Sequence, residues 1–499
     1  MKKINILILI FALFATSFVA KAGGYKITFT IPQIKDTIAY FGYYFADKKF
    51  AHDTVYFNSK GVGSISGKER LDGGIYMLIF PSMKNKYFEI LIDEDQTFSL
   101  TADTTDFLKT IKVKGSEELT QFYDYQRKMI DFHDRAEKLN KALREAKKDT
   151  AKSSAIRKKL IGINEEVQAY WKGISDKDPE SLLGKLTKAM MEVKVPDTLK
   201  APEYIMNKDS ALQTIKYLWA KDHFFDNIDL SDPRLLRTPI YYQKLNYFIT
   251  KVVIQRPDSI IKEAHKLIKL AEGNKETYRY MVAYMLGYYE RSHIMGMDKV
   301  FVNIAENYYL NGKADWADST FLAKIRDRVV KIEPNLIGNK APDLIRMTKQ
   351  DSSGFVSLYQ TEAQYIILVF WDPNCGHCKK AMPIIKDIYD TYKKDGVKVF
   401  AVNTQVERKD WDKFILDKDL YDFINVYDPY NFSNFRNFYD IYSTPVIYLL
   451  DKDKKIIAKR IDAEQLGELL EQKIYPEKFK KEQEKKKKEK KDGEKKEDK

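Results

Sequence analysis

Cysteine is almost absent from this chain of 499 residues, which has only two, Cys375 and Cys378. Two cysteines cannot form the set of several disulfides that stabilises many small exported domains. A structural zinc site usually has four ligands, so one Cys-x-x-Cys pair with no second pair is a poor candidate. The six histidines show no ligand spacing either, and we expect neither a metal nor a bound cofactor.

Long apolar runs are missing after the first twenty residues. Lys2 and Lys3 precede an apolar run from Ile4 to Ala20, and Ala20-Lys21-Ala22 is a small-x-small cleavage pattern. Residues 1–22 therefore predict a cleaved signal peptide, with an uncleaved membrane anchor as the alternative. No later segment reaches the about 18 apolar residues of a membrane-spanning helix. We expect an exported protein of the periplasm or cell envelope.

The positive charge is unevenly distributed. The formal net charge is +13, but much of the excess lies in a Lys/Glu-rich tail. We expect residues 476–499 to be a solvated, disordered tail. Contact with an anionic surface is an alternative for this tail, and no nucleic-acid partner is expected.

Residues 23–115 are predicted to form strands. Polar and apolar residues alternate in six short segments separated by Gly, Asp and Asn, namely 25–31, 37–44, 54–57, 73–80, 87–91 and 97–101. Short strands at nearly regular spacing favour an antiparallel sandwich or barrel. We find no catalytic constellation in this region.

Residues 116–336 are predicted to be helical. Ser116 is a candidate cap, and an apolar seam with spacings of three and four runs from Phe122 to Ala146. A second seam runs from Ile156 to Ile174 after a short polar loop, which predicts an antiparallel helical hairpin. The hairpin either packs on its own domain or pairs with another copy to make a homodimer.

Both cysteines lie where a strand is predicted to meet a helix. The apolar run 365–370 is typical of a buried strand, and residues 379–392 have helical spacing. A cysteine at a helix N-terminus is stabilised as a thiolate, and a second cysteine one turn later lies beside it. An attacking thiolate, Cys375, and a resolving thiol, Cys378, are the requirements of thiol–disulfide exchange.

The segment from about Gly338 to Tyr475 resembles the thioredoxin-fold TlpA/ResA-like thiol–disulfide oxidoreductases of the bacterial cell envelope. Trp371 lies four residues before Cys375, and Pro383 lies five residues after Cys378. Thr444-Pro445 precedes a predicted strand, where the family has its cis-proline. The upstream regions resemble multidomain forms from Bacteroidetes.

The resemblance implies a multidomain fold class: an N-terminal antiparallel β domain, a central α-helical domain with a helical hairpin, and a C-terminal α/β thioredoxin fold over residues 337–475. It implies a redox-active Cys375–Cys378 disulfide as the only redox group. Gly376 and His377, the residues between the cysteines, are the pair found in protein disulfide isomerase. The expected partners are protein thiols or disulfides and a membrane thiol donor or acceptor.

Two departures from the family pattern concern proton transfer to Cys378. Val369 stands where thioredoxins carry a buried acid, and Ala381 stands where many envelope relatives carry a glutamate. Glu362 and Asp372 are candidates to lie near Cys378, and the sequence does not decide between them.

Two other functions compete with disulfide exchange. The start of the C-terminal domain, near Gly338, also resembles peroxiredoxin-type redoxins, which are peroxidases. However, Asp372 stands where those proteins place the Thr or Ser that orients a peroxide. The other alternative is an envelope binding or assembly protein in which the redox domain is accessory.

Overall fold

The computed structural model of this chain describes residues 23–146, 149–204 and 206–482. Within them the chain forms two compact units. One contains residues 23–252 and 270–277, and the other contains 253–269 and the described residues from 278 onward. The region 116–336, predicted as one helical domain, is thus divided between the units, and the predicted domain bounds stay a prediction.

The two predicted terminal segments are only partly described. The predicted signal peptide, residues 1–22, and residues 483–499 lie outside the described residues. Residues 476–482 are helical, which differs from the predicted disordered tail. The main-chain N–H of Phe479 donates to the Tyr475 carbonyl, and Lys478 pairs with Glu471, so this short helical segment is tied to the residues before it.

The N-terminal region contains two four-stranded sheets, with strand orders β4-β1-β7-β8 and β3-β2-β5-β6. Their strands are β1 Tyr25–Thr30, β2 Thr37–Phe45, β3 Lys48–Phe57, β4 Val62–Gly67, β5 Gly74–Phe80, β6 Lys86–Ile92, β7 Thr97–Thr101 and β8 Lys112–Lys114.

The antiparallel prediction is correct for every pair in these two sheets except β1 and β7, which run parallel. Two strands, β4 and β8, are absent from the sequence prediction. The first contains two glycines and two serines, and the second has three residues, so neither produces a strand signal.

The predicted helical hairpin is confirmed. After the short helix α1 (Phe107–Thr110), helix α2 spans Glu117–Glu145 and helix α3 spans Thr150–Lys177. The Ser116 hydroxyl accepts from the Leu119 N–H at 3.2 Å, as the sequence predicts. The two seams meet in an apolar cluster centred on Phe132 and Val167. Arg135 also bridges the hairpin through two 2.8 Å hydrogen bonds to Glu166.

Shorter helices follow the hairpin in chain order. Asp232 caps the helix that starts at Pro233, and its side chain accepts from the Arg234 N–H. None of the helices in the described part of the chain has the length and apolarity needed to cross a membrane. The helices are α4 Leu182–Met190, α5 Lys208–Asp222, α6 Pro233–Leu236, α7 Pro239–Tyr247, α8 Pro257–Leu270, α9 Lys275–Glu290, α10 Asp298–Ile304 and α11 Ser319–Ile332.

The C-terminal domain is a seven-stranded mixed sheet with helices around it, in the strand order β10-β9-β13-β12-β11-β14-β15. Its strands are β9 Met347–Lys349, β10 Phe355–Val356, β11 Tyr365–Trp371, β12 Val397–Asn403, β13 Ile424–Tyr427, β14 Val446–Asp451 and β15 Ile456–Lys459. Its helices are α12 Gly376–Tyr392, α13 Lys409–Asp417, α14 Phe435–Phe438 and α15 Ala463–Ile474.

Strand β11 is buried on both faces, which explains its continuous apolar sequence. Ile367, Val369 and Trp371 belong to one buried cluster, and residues 366, 368 and 370 belong to the other. Strand β11 runs parallel to β12 and antiparallel to β14, with Phe370 opposite Val446. The end of β11 therefore meets the start of β14, and residues 371–378 lie next to Thr444-Pro445.

We expect Phe132→Ala to destabilise the hairpin because Phe132 is 4% exposed and lies at the centre of its seam. Truncating a buried phenylalanine costs about 3 kcal/mol or more. Urea unfolding followed by circular dichroism measures the change. The exposed neighbour His133→Ala is the control, and equal midpoints for both variants would contradict the assignment of the seam.

Candidate active site

Cys375 is the N-cap residue of α12 and follows the buried strand β11. Its main-chain N–H donates to the Asp372 carbonyl at 3.1 Å, and its carbonyl accepts from the Lys379 N–H at 3.0 Å. These bonds fix the turn between strand and helix. The thiol is half-buried and lies at the positive end of the helix dipole.

The Thr444–Pro445 peptide bond is cis, as predicted from the sequence. It lies beside the first cysteine, because the thiol of Cys375 donates to the Thr444 carbonyl at 3.2 Å. A main-chain carbonyl so close to the reactive sulfur can also align an extended substrate by strand addition.

The two thiols have opposite shifts in pKa. Partial burial favours the neutral thiol of Cys375, but hydrogen bonds from the Cys378 N–H, the Thr444 side chain, the Cys378 thiol and the His377 N–H outweigh it and lower the Cys375 pKa. Burial raises the pKa of Cys378 to about 12, against the opposing hydrogen bond from the Asp372 N–H. Cys375 is therefore the more easily ionised of the two, and Cys378 is held as a thiol.

The supporting residues take three different positions. Trp371 is fully buried and packs on Phe414 with ring centroids 5.2 Å apart. Gly376 starts α12, and Pro383 lies inside it. His377 is exposed at the edge of a groove of about 440 Å³ that also contains Thr444 and Pro445.

Asp372 is the candidate acid that lies near Cys378. Its main-chain N–H donates to the Cys378 sulfur at 3.4 Å. Its carboxylate accepts from the Asn374 N–H and from the side chain of Gln405, both at 2.7 Å. Glu362 is exposed, while Val369 and Ala381 lie in the buried cluster that contains Cys378.

Gln405 and Asn374 are site residues that the sequence analysis missed. Gln405 lies two residues after β12, which runs parallel to β11. The carboxyl ends of neighbouring parallel strands lie at the same edge of a sheet. This rule could have predicted that Gln405 lies near the cysteines. Within the described residues, no group of three or more His, Cys, Asp or Glu side chains could hold a metal ion.

Two family models match the chain. The model described as the AhpC/TSA family matches residues 337–459. A domain of unknown function, DUF5106, matches residues 172–335.

Curated relatives match the C-terminal part. The thiol-disulfide oxidoreductase ResA of Bacillus cereus is 29% identical over 143 residues, which is 28% of this chain and 79% of that protein. ResA of Geobacillus kaustophilus is 29% identical over 138 residues, 27% of this chain and 76% of that protein.

The chain is also similar to solved structures. A domain of a possible thiol-disulfide isomerase from Cytophaga hutchinsonii is 42% identical, and the match covers 29% of this chain and 97% of that one with a TM-score of 0.27. A thioredoxin-like protein from Bacteroides caccae is 21% identical, with 56% of this chain and 97% of that one covered and a TM-score of 0.45.

The difference in pKa between the two thiols predicts that alkylation of the reduced protein is selective. We expect iodoacetamide to modify Cys375 with a midpoint below the ordinary thiol value of pH 9.0, because its pKa is lowered. Cys378 should stay unmodified up to about pH 10, since its pKa is about 12. Peptide mass spectrometry after timed labelling identifies the site, and earlier labelling of Cys378 would contradict the assignment.

Proposed function

We propose that this chain, a TlpA/ResA-like thiol–disulfide oxidoreductase with a thioredoxin fold, exchanges disulfides with protein substrates through Cys375 and Cys378. The observation that carries the proposal is the paired geometry of the two thiols. One is accessible at a helix N-terminus and 3.2 Å from the Thr444 carbonyl, and the other is buried one turn later. Such a pair supports attack by one sulfur and resolution by the other.

In the first step the Cys375 thiolate attacks one sulfur of a substrate disulfide. The substrate S–S bond breaks, a mixed disulfide forms, and the leaving substrate thiolate takes up a proton. The N–H groups of residues 377 and 378 stabilise the attacking thiolate before the reaction. The Thr444 main chain aligns the substrate backbone beside the sulfur.

In the second step Cys378 loses its proton and attacks the sulfur of Cys375. The mixed disulfide breaks, the second substrate thiol leaves, and a Cys375–Cys378 disulfide forms, so two electrons have passed to the substrate. Repulsion from the Cys375 thiolate contributes to the raised pKa of Cys378. This repulsion disappears once Cys375 is in the mixed disulfide, which favours ionisation of Cys378 when it is needed.

The proposal includes a location and a partner. The basic and apolar residues 2–20 support export, and the reaction then takes place in the periplasm or cell envelope. There a membrane thiol donor reduces the Cys375–Cys378 disulfide by the same two-electron exchange, or an acceptor reoxidises the pair. The homodimer through the helical hairpin remains a proposal that sedimentation of the mature protein tests.

The lowered pKa of Cys375 bears on the reduction potential. Stabilising the thiolate stabilises the reduced form, which makes the disulfide more oxidising. Because Gly376-His377 is also the pair found in protein disulfide isomerase, whose potential is about −180 mV, we place the potential above the about −270 mV of thioredoxin. This range suits oxidation or isomerisation of substrates, and it suits reduction when a donor keeps the pair reduced.

We expect Cys378→Ser to trap mixed disulfides with substrate proteins, because the introduced serine has no sulfur to resolve them. Cys375→Ser should trap none and should reduce insulin only at the uncatalysed rate. Non-reducing electrophoresis and the insulin turbidity assay measure both. Hydrogen peroxide consumption that depends on Cys375, without insulin reduction, would instead favour the peroxidase alternative.

We expect His377→Pro to lower the reduction potential by about 30 mV or more, equivalent to about 1.4 kcal/mol. Proline removes the N–H that stabilises the Cys375 thiolate. His377→Gln keeps that N–H and removes only the imidazole, so it separates the main-chain effect from the ring effect. Equilibration with glutathione gives the potentials, and an unchanged value in the proline variant would contradict this role of residue 377.

A further inference from the structure

We propose that Arg328, on helix α11 before the thioredoxin-fold domain, is a positioning residue for the redox site. Together with Arg460 it holds the buried carboxylate of Asp440, and through it the loop that leads to Thr444. We call these three residues the Asp440 clamp. The clamp rests on the proposed role of Cys375 as the nucleophile.

Asp440 is held from two sides. One carboxylate oxygen accepts from Arg328 Nη1 at 2.7 Å, and the other accepts from Arg460 Nη2 at 2.7 Å. The same Arg460 nitrogen donates to the Asp440 carbonyl at 2.7 Å. The Asp440 side chain is only 5% exposed, and the two guanidinium groups are its charge partners in the interior.

The loop from Asp440 to Thr444 is short, and it is fixed at both ends. Asp440 itself has a positive φ of 53°, a conformation that persists only where the surroundings impose it. The main-chain N–H of Arg460 donates to the Ile447 carbonyl at 2.8 Å, beyond Pro445. Movement of Asp440 is therefore transmitted to Thr444 within four residues.

Helix α11 and the residues just after it make two further contacts around Asp440. The Arg328 guanidinium lies over the Tyr442 ring, 5.2 Å from its centroid. Asn335, just after α11, donates from its side chain to the Phe438 carbonyl at 3.0 Å. The helical segment thus contributes contacts at residues 438, 440 and 442, which a domain beginning at Gly338 would lack.

Thr444 is the residue through which this loop affects the Cys375 thiol. Its carbonyl is 3.2 Å from the Cys375 sulfur, and its side chain helps to stabilise the thiolate. Without Arg328, the Asp440 carboxylate keeps Arg460, so its charge stays paired and the fold is retained. The loop then loses its contact with α11, and the position of Thr444 relative to Cys375 is less firmly fixed.

The test compares full mature chains in their reduced form. In Arg328→Met, the midpoint pH for alkylation of Cys375 should shift by about 0.5 to 1 unit, because the contacts of Thr444 with the Cys375 sulfur change. Arg328→Lys restores the positive charge and should recover most of the shift. Arg326→Met, an exposed arginine on the same helix, removes the same charge and should leave the midpoint unchanged.

The other charged groups near the nucleophile are unaltered in these variants. Besides Cys378, the titratable or charged side chains around the adjacent groove are His377, Lys380, Arg460, Asp462 and Glu464. A change in midpoint specific to Arg328 therefore reports the clamp. A merely structural role would lower the unfolding temperature without moving the midpoint.

Two results would overturn the proposal: an Arg328→Met midpoint equal to wild type, or an equal shift in Arg326→Met. If Arg328→Met does not fold, Arg328→Gln takes its place, because it removes the guanidinium that contacts both Asp440 and Tyr442, and the same criteria apply to it. The alkylation readout needs no substrate. Failure of the wild-type chain to exchange disulfides would refute the proposed function and leave the clamp measurement valid.

Discussion

The antiparallel pairing of β11 with β14 is the constraint on which the redox site depends. With Phe370 opposite Val446, the chain leaving β11 and the chain entering β14 meet at one edge of the sheet. The first carries the cysteines and the second carries Thr444-Pro445. Neither segment could place its groups alone, because each is positioned by a strand that is buried on both faces.

Burial then gives two chemically identical side chains different roles. Cys375 lies at the helix N-terminus within reach of several hydrogen-bond donors, while Cys378 faces the apolar cluster below the sheet. Burial is the main cause of the raised pKa of Cys378, and repulsion from the Cys375 thiolate adds to it. Under the proposed function, this difference makes Cys375 the first thiol to react and Cys378 the second.

Most of the site could be predicted from the sequence because its signals are local. Two cysteines one helical turn apart, the apolar strand before them and Thr444-Pro445 before another strand all lie in short segments. The hairpin was predictable for the same reason, since its two seams are adjacent in the chain. Gly-containing β4 and three-residue β8 produce no comparable pattern. The parallel pairing of β1 with β7 joins segments about 70 residues apart, which no local pattern reports.

The contacts of Asp440 join residues on both sides of the predicted domain boundary at residue 336. Arg328 and Asp440 are 112 residues apart, and each looks like an ordinary surface charge in the sequence. Lys459 likewise pairs with Asp298 and donates to the Asn335 carbonyl, so strand β15 is joined to the helical segment. Buried charges require partners wherever the chain can supply them. Here the partners come from helices α10 and α11, and this makes the last part of the helical region a structural component of the redox domain.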